Sequence, residues 1–302
     1  MFVAFLRYTL PQKVVSLSKR YVPDVHLVHL QILRMIKRLC TASLALLMLS
    51  SCGEYYQVQK STDVGERYSF AKKSYNEKKY GRVISLLEDI VPQLVGTTEG
   101  PQSTYLLADS YFERGDDAEA SRYFQNYYTS YPKGSMAEEA RFKAGYSLFR
   151  SSPDARLDQT ATIGAIKELQ SYLDFFPEGK HTKEVEQMLF ELQDKLAYKE
   201  FLAARLYFNL GLYLGNNYES CIITAQNALK DYPYTKHKEE ITFLILRAKA
   251  EQADLSVPER LQERLREVID AYYAYLNDFP QGEHLKQAQR IFERMNAKLV
   301  KS

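Results

Sequence analysis

One helical register recurs four times along this chain, and each copy ends in an aromatic residue followed by proline. In the clearest copy, Ala120, Phe124 and Tyr127 are spaced by four and three residues, which places them on one stripe of an α-helix. Proline cannot continue the backbone hydrogen-bond ladder, so each helix is predicted to end there. Four copies of one register predict one helical unit that is reused along the chain. The closing pairs are Tyr131 with Pro132, Phe176 with Pro177, Tyr232 with Pro233, and Phe279 with Pro280.

A second helical pattern precedes each copy and is clearest at residues 107–111. Measured back from Pro132, these positions fall at the offsets of the 34-residue tetratricopeptide repeat, which is a helix, a turn and a second helix. A weaker copy at residues 83–94 lies ahead of the four, with Pro92 in its last turn. Residues 283–300 are typical of a capping helix with a charged outer face. We therefore predict an all-α fold, an α-solenoid of about five tetratricopeptide-like helix pairs with a C-terminal capping helix.

The N-terminal segment has the features of a secretory signal. Leu39 to Leu49 is an eleven-residue run of apolar and small residues after Lys37-Arg38, too short to span a bilayer, which needs about 20 residues. It ends in Leu49-Ser50-Ser51-Cys52, which is similar to the bacterial lipobox, where the cysteine is lipidated and becomes the first mature residue. The alternative, a buried helix with a chance cysteine, is disfavoured because the run has no polar face. We predict a signal peptide at residues 1–51 and lipidation at Cys52.

Met35 is the natural initiator, because the residues after it supply the short basic start of such signals. Residues 1–34 are then an over-extended N-terminus, and the alternative is that they form a long basic region of the signal. The domain boundaries that follow are a lipidated tether at 52–62, N-terminal repeats one to three at 63–178, and C-terminal repeats four and five with the capping helix at 179–302.

Removal of residues 1–51 reverses the sign of the net charge. The whole chain carries +2, and the removed segment holds seven basic residues and one acidic residue, which leaves a net charge of −4. Nucleic-acid binding depends on phosphate neutralisation, so no nucleic-acid partner is expected. Of the three cysteines, Cys40 leaves with the signal, Cys52 carries the lipid, and Cys221 stands alone in a repeat helix. We predict no intramolecular disulfide and a packing role for Cys221.

Catalytic and metal-binding patterns give little signal. His181, His237 and His284 each follow a repeat proline by four residues. Neighbouring helices lie about 8–10 Å apart, whereas zinc ligands lie about 2 Å from the metal, so the recurrence indicates register and not ligation. There is no glycine-rich phosphate loop and no H-E-x-x-H, and the S-x-x-K match at Ser69 lacks its partner motifs. We predict that the protein is not an enzyme and holds no cofactor or metal.

The concave side of a helix-pair solenoid is lined by the first helices of its repeats, and such grooves bind extended or helical peptides. Tyrosine suits this lining because it offers area, a polar tip and little side-chain entropy to lose. The alternative is packing between helices, which we expect for about half of the candidates. The candidate groove residues are Tyr68, Tyr75, Tyr105, Tyr111 and Tyr146.

Repeat three contains an insertion at residues 151–160, between its two helices. Long loops in compact repeats usually carry function or join neighbouring units. Its candidate residues are Asp158, Gln159 and Thr160, and the first and last of these equally suit helix capping. Ahead of the insertion, Ser135 and Glu138 form a predicted capping box at the start of the repeat.

The lipobox, the repeats and the insertion together resemble the BamD family of outer-membrane assembly lipoproteins. The most specific part runs from Ser152-Pro153 through Leu157-Asp158-Gln159-Thr160 to Ala165-Ile166, and the resemblance covers about Cys52 to Val300. It implies a non-catalytic lipoprotein of the outer membrane, facing the periplasm. The machinery to which that family belongs folds and inserts β-barrel proteins.

The resemblance also implies partners. In that family the C-terminal repeats dock on the periplasmic POTRA domains of the barrel subunit BamA, and the N-terminal groove receives partner or substrate segments, among them unfolded outer-membrane β-barrel proteins. This chain departs from the family in repeat one, which lacks the aromatic-proline pair, and in its tyrosine-rich tether. The alternative function is a cell-envelope tetratricopeptide adaptor that binds peptidoglycan-remodelling enzymes through the same groove.

Overall fold

The computed structural model describes residues 34–37 and 53–301, and within these ranges every regular element is helical and no strand occurs. Residues 53–60 form a short helix ahead of the repeats. The chain divides into two compact units, of which the first ends at Phe70 and the second is Ala71–Ser302. Most of the predicted signal peptide, and the predicted lipidation site Cys52, lie outside the described residues.

After residues 53–60, the described chain forms twelve helices. The sequence prediction of an all-α fold is confirmed. The helices are α1 Val64–Asn76, α2 Tyr80–Leu87, α3 Val91–Leu94, α4 Gly100–Arg114, α5 Asp117–Ser130, α6 Ala137–Ser151, α7 Thr160–Phe175, α8 Thr182–Leu210, α9 Asn217–Asp231, α10 Lys238–Asp254, α11 Pro258–Asp278 and α12 Leu285–Lys301.

The aromatic-proline pairs end the second helix of four repeats, as predicted. In all four, the aromatic residue leaves the helical region, with φ between −129° and −133° and ψ between 60° and 64°. Its N–H still donates to the carbonyl four residues earlier, at 2.8 Å from Tyr131 to Tyr127. The proline that follows disfavours the α region for the residue before it. The helix therefore ends at the same point in each repeat.

Within Ala71–Ser302, consecutive helices pack against each other from α4 through α12, and α2 packs on α4. The fully buried side chains include the repeat stripe residues Phe124, Tyr127, Leu169 and Tyr172. Burial of each such side chain contributes roughly 1.5–3 kcal/mol through the hydrophobic effect. This unit is a solenoid of tetratricopeptide-like pairs, and α12 caps it.

Repeat one has a broken second helix. The apolar stripe at residues 83–94 is buried as expected, but α2 ends at Leu87 and α3 begins at Val91. Pro92 lies in the first turn of α3, where its missing N–H leaves no hydrogen bond unmade. The break thus follows from a proline placed earlier than in the other repeats.

The predicted capping box at the start of repeat three is wrong. The N-cap of α6 is Met136, without a side-chain hydrogen bond, and Ser135 precedes it. Glu138 instead accepts hydrogen bonds from residues more than 30 positions further along the chain. A local capping signal was present in the sequence, but long-range partners use its carboxylate.

Candidate functional site

In repeat three, a carboxylate joins the first helix to the turn that follows the second helix. Glu138 Oε1 accepts hydrogen bonds from the Tyr172 hydroxyl at 2.9 Å and from the Lys180 N–H at 2.8 Å. The Tyr172 hydroxyl in turn accepts from the His181 N–H at 3.1 Å. The His181 ring stacks on Phe142, four residues after Glu138, with centroids 3.7 Å apart. We name this arrangement of carboxylate, aromatic ring, closing turn and histidine the corner lock.

Repeat five forms the same corner lock. Glu239 Oε1 accepts from the Tyr275 hydroxyl at 2.6 Å and from the His284 N–H at 3.1 Å. The His284 ring stacks on Phe243, again four residues after the carboxylate, at 4.4 Å. Two repeats separated by about a hundred residues of sequence thus use the same side chains, which makes the lock a property of the repeat. The backbone donor to the carboxylate alone differs, since it is the third residue after the proline in repeat three and the fourth in repeat five.

Repeat four forms the lock with a different side-chain donor to the carboxylate. Asp194 Oδ1 accepts from the Thr235 hydroxyl at 2.7 Å and from the Lys236 N–H at 2.8 Å. His237 lies against Tyr198, four residues after Asp194, at 4.7 Å. The side-chain donor here is therefore a threonine from the turn and not a tyrosine from the second helix.

The exchange in repeat four has a steric reason. In repeat five, a Cβ added at Gly282 would lie only 2.6 Å from the Tyr275 hydroxyl, so the residue two positions after the proline must be small. In repeat four, Ala228 occupies the tyrosine position and leaves space. Thr235 then replaces the glycine, and its hydroxyl supplies the hydrogen bond that tyrosine supplies elsewhere.

The lock groups are stabilised in the protonation states that their hydrogen bonds require. Burial, with the adjacent Glu138 carboxylate, raises the pKa of Tyr172 to about 12, so its hydroxyl remains a donor. Burial pushes the pKa of Glu239 upward, but hydrogen bonds from Tyr275 and the His284 N–H outweigh it and leave the pKa below its ordinary value. The lock carboxylates and hydroxyls are thus hydrogen-bonded and have a structural role, whereas the buried His284 Nδ1 in the lock of repeat five has no partner among the described residues.

The three recurring histidines are explained by these corners, since each lies on its own aromatic ring. Among the described residues, no group of three or more His, Cys, Asp or Glu is placed to hold a metal ion. Cys221 is buried, and burial raises the pKa of its thiol to about 12. The thiol therefore stays protonated and serves packing.

Repeat two has the closing turn but not the lock. Tyr105 makes with Tyr127 the edge-to-face contact, at 5.5 Å and 77°, that the corresponding rings make in repeat three at 6.2 Å and 69°. Four residues before Tyr105, where the lock has its carboxylate, stands Pro101. Four residues after the closing proline, where the lock has histidine, stands Met136. Repeat two thus has neither the carboxylate nor the imidazole of the lock.

A cavity of about 490 Å³ lies at this corner of repeat two, which we name the open corner. Ligand pockets in proteins typically measure about 300–1,000 Å³ and combine apolar walls with a few polar groups. The cavity has that character, and Ser135 is one of its polar lining residues. Its walls include Tyr75, Pro101, Tyr105, Leu106, Tyr127 and Met136.

A buried carboxylate lies behind the open corner and is already neutralised. Asp109 on α4 accepts a hydrogen bond from the Tyr75 hydroxyl on α1 and is paired with Lys143 on α6. The three residues are spaced by 34 positions, one repeat length. This chain of contacts joins the first helices of three repeats and fixes Tyr75 in the cavity wall.

The other predicted groove tyrosines lie elsewhere. Tyr68 and Tyr111 are only 5% and 7% exposed, and the Tyr111 hydroxyl donates to Glu88. Tyr146 stacks on Phe142 at 5.7 Å. None of these three lines the cavity, so the structure brings two of the five candidates, Tyr75 and Tyr105, to one site.

The insertion in repeat three is organised around Gln159. This side chain is buried and donates hydrogen bonds to the carbonyls of Asp154 at 2.8 Å and Leu157 at 3.0 Å. Asp158 Oδ1 accepts from the Thr160 N–H at 3.0 Å, which is a local turn contact at the start of α7. Gln159 thus fixes the loop shape, and Asp158 fixes the helix start.

The insertion also contacts repeat four. Lys195 on α8 donates to the Ser152 hydroxyl at 2.6 Å and to its carbonyl at 3.2 Å. Burial lowers the pKa of Lys195. The loop therefore joins two neighbouring repeats through a partly buried ammonium group.

A second exposed feature lies at the end of α8. Residues 206–218 carry no charged side chain, and Leu212, Tyr213 and Leu214 are 57%, 68% and 90% exposed. The turn is nonetheless ordered, because the Asn217 side chain donates to the Tyr213 carbonyl at 2.7 Å. We name residues 206–214 the apolar tip. An ordered, exposed and uncharged apolar surface of this kind marks interaction sites.

Residues 60–240 match the family described as outer membrane lipoprotein, YfiO. The chain belongs to this family. The YfiO match includes the open corner, the lock of repeat three, the insertion and the apolar tip, and it confirms the family predicted from the sequence. A protein of Aquifex aeolicus (strain VF5) named "Putative outer membrane protein assembly factor BamD" is 27% identical over 185 residues, which span 59% of each chain.

The description of the YfiO family, outer membrane lipoprotein, indicates an outer-membrane location for its members. Within the described ranges, no helix combines the length and the hydropathy that crossing a bilayer requires.

Proposed function

We propose that this chain is a non-catalytic scaffold of the β-barrel assembly machinery in the outer membrane. The observation that carries the proposal is the YfiO family match over residues 60–240, and the assembly factor named among its relatives supports it. The chain spans 59% of that relative. A stack of helix pairs suits a scaffold because its faces stay rigid and separate.

The proposal assigns two partners to two surfaces. The C-terminal repeats dock the barrel subunit BamA through its POTRA domains, and the apolar tip at residues 206–214 supports this with its exposed leucines and tyrosine. The N-terminal groove receives segments of unfolded outer-membrane β-barrel proteins or other partners, and the cavity at the open corner supports this. No cofactor or metal takes part.

The lipid on Cys52 fixes the scaffold to the outer membrane, with the repeats facing the periplasm. Acyl burial contributes about 0.8 kcal/mol per CH₂ group, and more than one chain makes anchoring durable. A Cys52→Ala protein should therefore be recovered in the soluble periplasmic fraction. Complete retention of this protein on membranes in the absence of any partner would contradict the anchor.

Docking is tested by capture of the purified barrel subunit on the immobilised full chain. Leu212→Asn with Leu214→Asn should lower capture about tenfold, because both side chains are more than half exposed at the tip. Leu157→Asn is the matched control, since Leu157 is 60% exposed on the insertion. A chain that lacks residues 213–302 and still captures the subunit would refute docking through the C-terminal repeats.

Cellular depletion tests the function as a whole. Loss of β-barrel proteins from the outer membrane is the expected result. The alternative, an adaptor for peptidoglycan-remodelling enzymes that uses the same groove, predicts normal barrel levels together with wall or division defects.

A further inference from the structure

The corner locks define what the open corner lacks. In repeats three and four the lock carboxylate accepts the N–H of the third residue after the proline, from Lys180 and from Lys236. The corresponding group in repeat two is the Ser135 N–H. The Tyr127 hydroxyl likewise corresponds to that of Tyr172. Among the described residues, neither the Ser135 N–H nor the Tyr127 O–H donates to an acceptor. The Ser135 N–H and the Tyr127 hydroxyl are therefore donors without an acceptor, and both residues line a cavity that has no carboxylate in its wall.

The open corner also lacks a planar ring. In repeat three an imidazole covers the aromatic ring that follows the carboxylate, and the centroids of His181 and Phe142 are 3.7 Å apart. In repeat two the corresponding ring is Tyr105, which lines the cavity. Met136 stands at the histidine position and is 37% exposed. Among the described residues, Tyr105 makes only edge-to-face ring contacts, with Phe124 and Tyr127, and no ring is stacked on it.

The charges around the cavity permit a carboxylate to enter. Asp109 and Glu139 both lie close enough to act electrostatically on Tyr105. Asp109 is paired with Lys143 and accepts a hydrogen bond from Tyr75. Glu139 is paired with Lys180. The Lys143 Nζ also lies 5.9 Å from the centre of the Tyr105 ring. A second carboxylate at the corner therefore meets two vacant donors, while Lys143 already compensates the charge of Asp109.

We propose that the open corner binds a passing segment of a partner polypeptide through an acidic side chain, which takes the acceptor position that Glu138 holds in repeat three. An aromatic side chain of the same segment stacks on Tyr105. We choose an internal segment over a chain terminus because the acceptor in all three locks is the side-chain carboxylate of a Glu or an Asp. This rests on the proposed function, and it names the chemistry of the segments that the N-terminal groove receives.

The first test measures binding of a labelled peptide to the full chain in detergent by fluorescence anisotropy. The peptide carries one Glu and one Phe within four residues and is blocked at both ends. Replacement of its Glu by Gln should weaken binding about tenfold, because a charged acceptor is lost from two donors. Equal binding of both peptides would overturn the proposal. A Gln peptide with a free C-terminal carboxylate is a second comparison. If only this peptide binds, the ligand is a chain terminus and not an acidic side chain, and the proposal is also overturned.

The second test installs the missing lock in the protein. Pro101→Glu with Met136→His should fill the corner, keep or raise the thermal midpoint, and weaken peptide binding about tenfold. Unchanged peptide binding by this variant would overturn the proposal. Tyr127→Phe keeps the ring, removes one donor and should weaken binding severalfold even if the double variant does not fold. Leu157→Asn is the control and should bind as the parent does.

The outcomes separate this inference from the proposed function. Capture of the barrel subunit depends on the apolar tip and should be unchanged in the lock-installed variant. In that variant, lost capture together with weakened peptide binding would contradict the docking assignment alone. Intact capture with no dependence on the peptide carboxylate would contradict the open-corner inference alone.

Discussion

Repeats two and three end in the same turn but use it differently. In repeat three, Glu138 accepts from the turn and from Tyr172, and His181 covers the adjacent ring. In repeat two, Pro101 and Met136 occupy those two positions, and a cavity of about 490 Å³ takes their place. The backbone donors are the same in both.

The difference between the two corners shows that one repeat unit can either stabilise the stack or offer a candidate binding site. Where the chain supplies its own acceptor, the polar groups of the turn are satisfied internally and the corner stabilises the stack. Where the chain supplies none, the same donors remain available to another molecule. Two side-chain changes separate a structural corner from a candidate binding corner.

The largest expected contrast comes from truncation of a buried lock ring. Tyr275→Ala removes a fully buried side chain and should lower the free energy of unfolding by about 3–5 kcal/mol. Met136→Ala at the open corner, where the side chain is 37% exposed, should lower it by less than about 1 kcal/mol. Urea unfolding followed by circular dichroism measures both, and similar losses would remove the distinction between the corners.

Removal of a lock carboxylate should have the next largest effect. Glu138→Ala leaves the Tyr172 hydroxyl and the Lys180 N–H without their acceptor and should destabilise the protein by about 1–3 kcal/mol. Glu186→Ala, on an exposed face of α8, is the matched control and should change stability by less than about 0.5 kcal/mol. If the two variants unfold at the same urea concentration, the hydrogen bonds of the lock add no stability.

The steric exchange in repeat four predicts coupling between two positions. Ala228→Tyr alone should destabilise by about 1–3 kcal/mol, because the new ring meets Thr235. Addition of Thr235→Gly should recover part of that loss by reproducing the tyrosine and glycine of repeat five. A double-mutant cycle should give a coupling energy of about 0.5–3 kcal/mol. Additive effects would mean that these two positions do not share space.

The smallest expected effect is a pH dependence of protein stability, which we expect only from a corner that contains a lock carboxylate. Hydrogen bonds hold the pKa of Glu239 below its ordinary value in the folded protein against the opposing effect of burial. The stabilisation it contributes is therefore complete above its unfolded pKa of about 4.3 and is lost as the pH falls through the folded value. Glu239→Gln should show a shallower loss of stability below that pH in thermal melts. Parallel curves for variant and parent would contradict this.

Much of the fold could be predicted because its signals are local. The apolar stripe around Phe124 and the prolines at the four closing pairs act within one helix, so the ends of the helices were predicted correctly. The role of Glu138 was missed, because a local capping box was compatible with its position while its real partners lie 34 and 42 residues away.

Only part of the candidate site at the open corner could be predicted from the sequence. The sequence predicts Tyr75 and Tyr105 as groove residues, but for Tyr127 it predicts only a position on the helical stripe. One sequence signal could have indicated the open corner. A histidine follows the closing proline by four residues in repeats three to five, whereas Met136 occupies that position in repeat two. That the histidines stack on rings earlier in the chain depends on how the helices pack, which periodicity does not reveal.

Amide hydrogen exchange at Ser135, Lys180 and Lys236 tests the open and locked corners most directly. Lys180 and Lys236 donate to carboxylates at 2.8 Å, so their amides should be protected in the free chain, whereas the Ser135 amide should exchange rapidly. Saturation with the acidic aromatic peptide should protect Ser135 and leave the other two unchanged. A Ser135 amide that is as protected as Lys180 in the free chain, or that the peptide does not affect, would contradict the account.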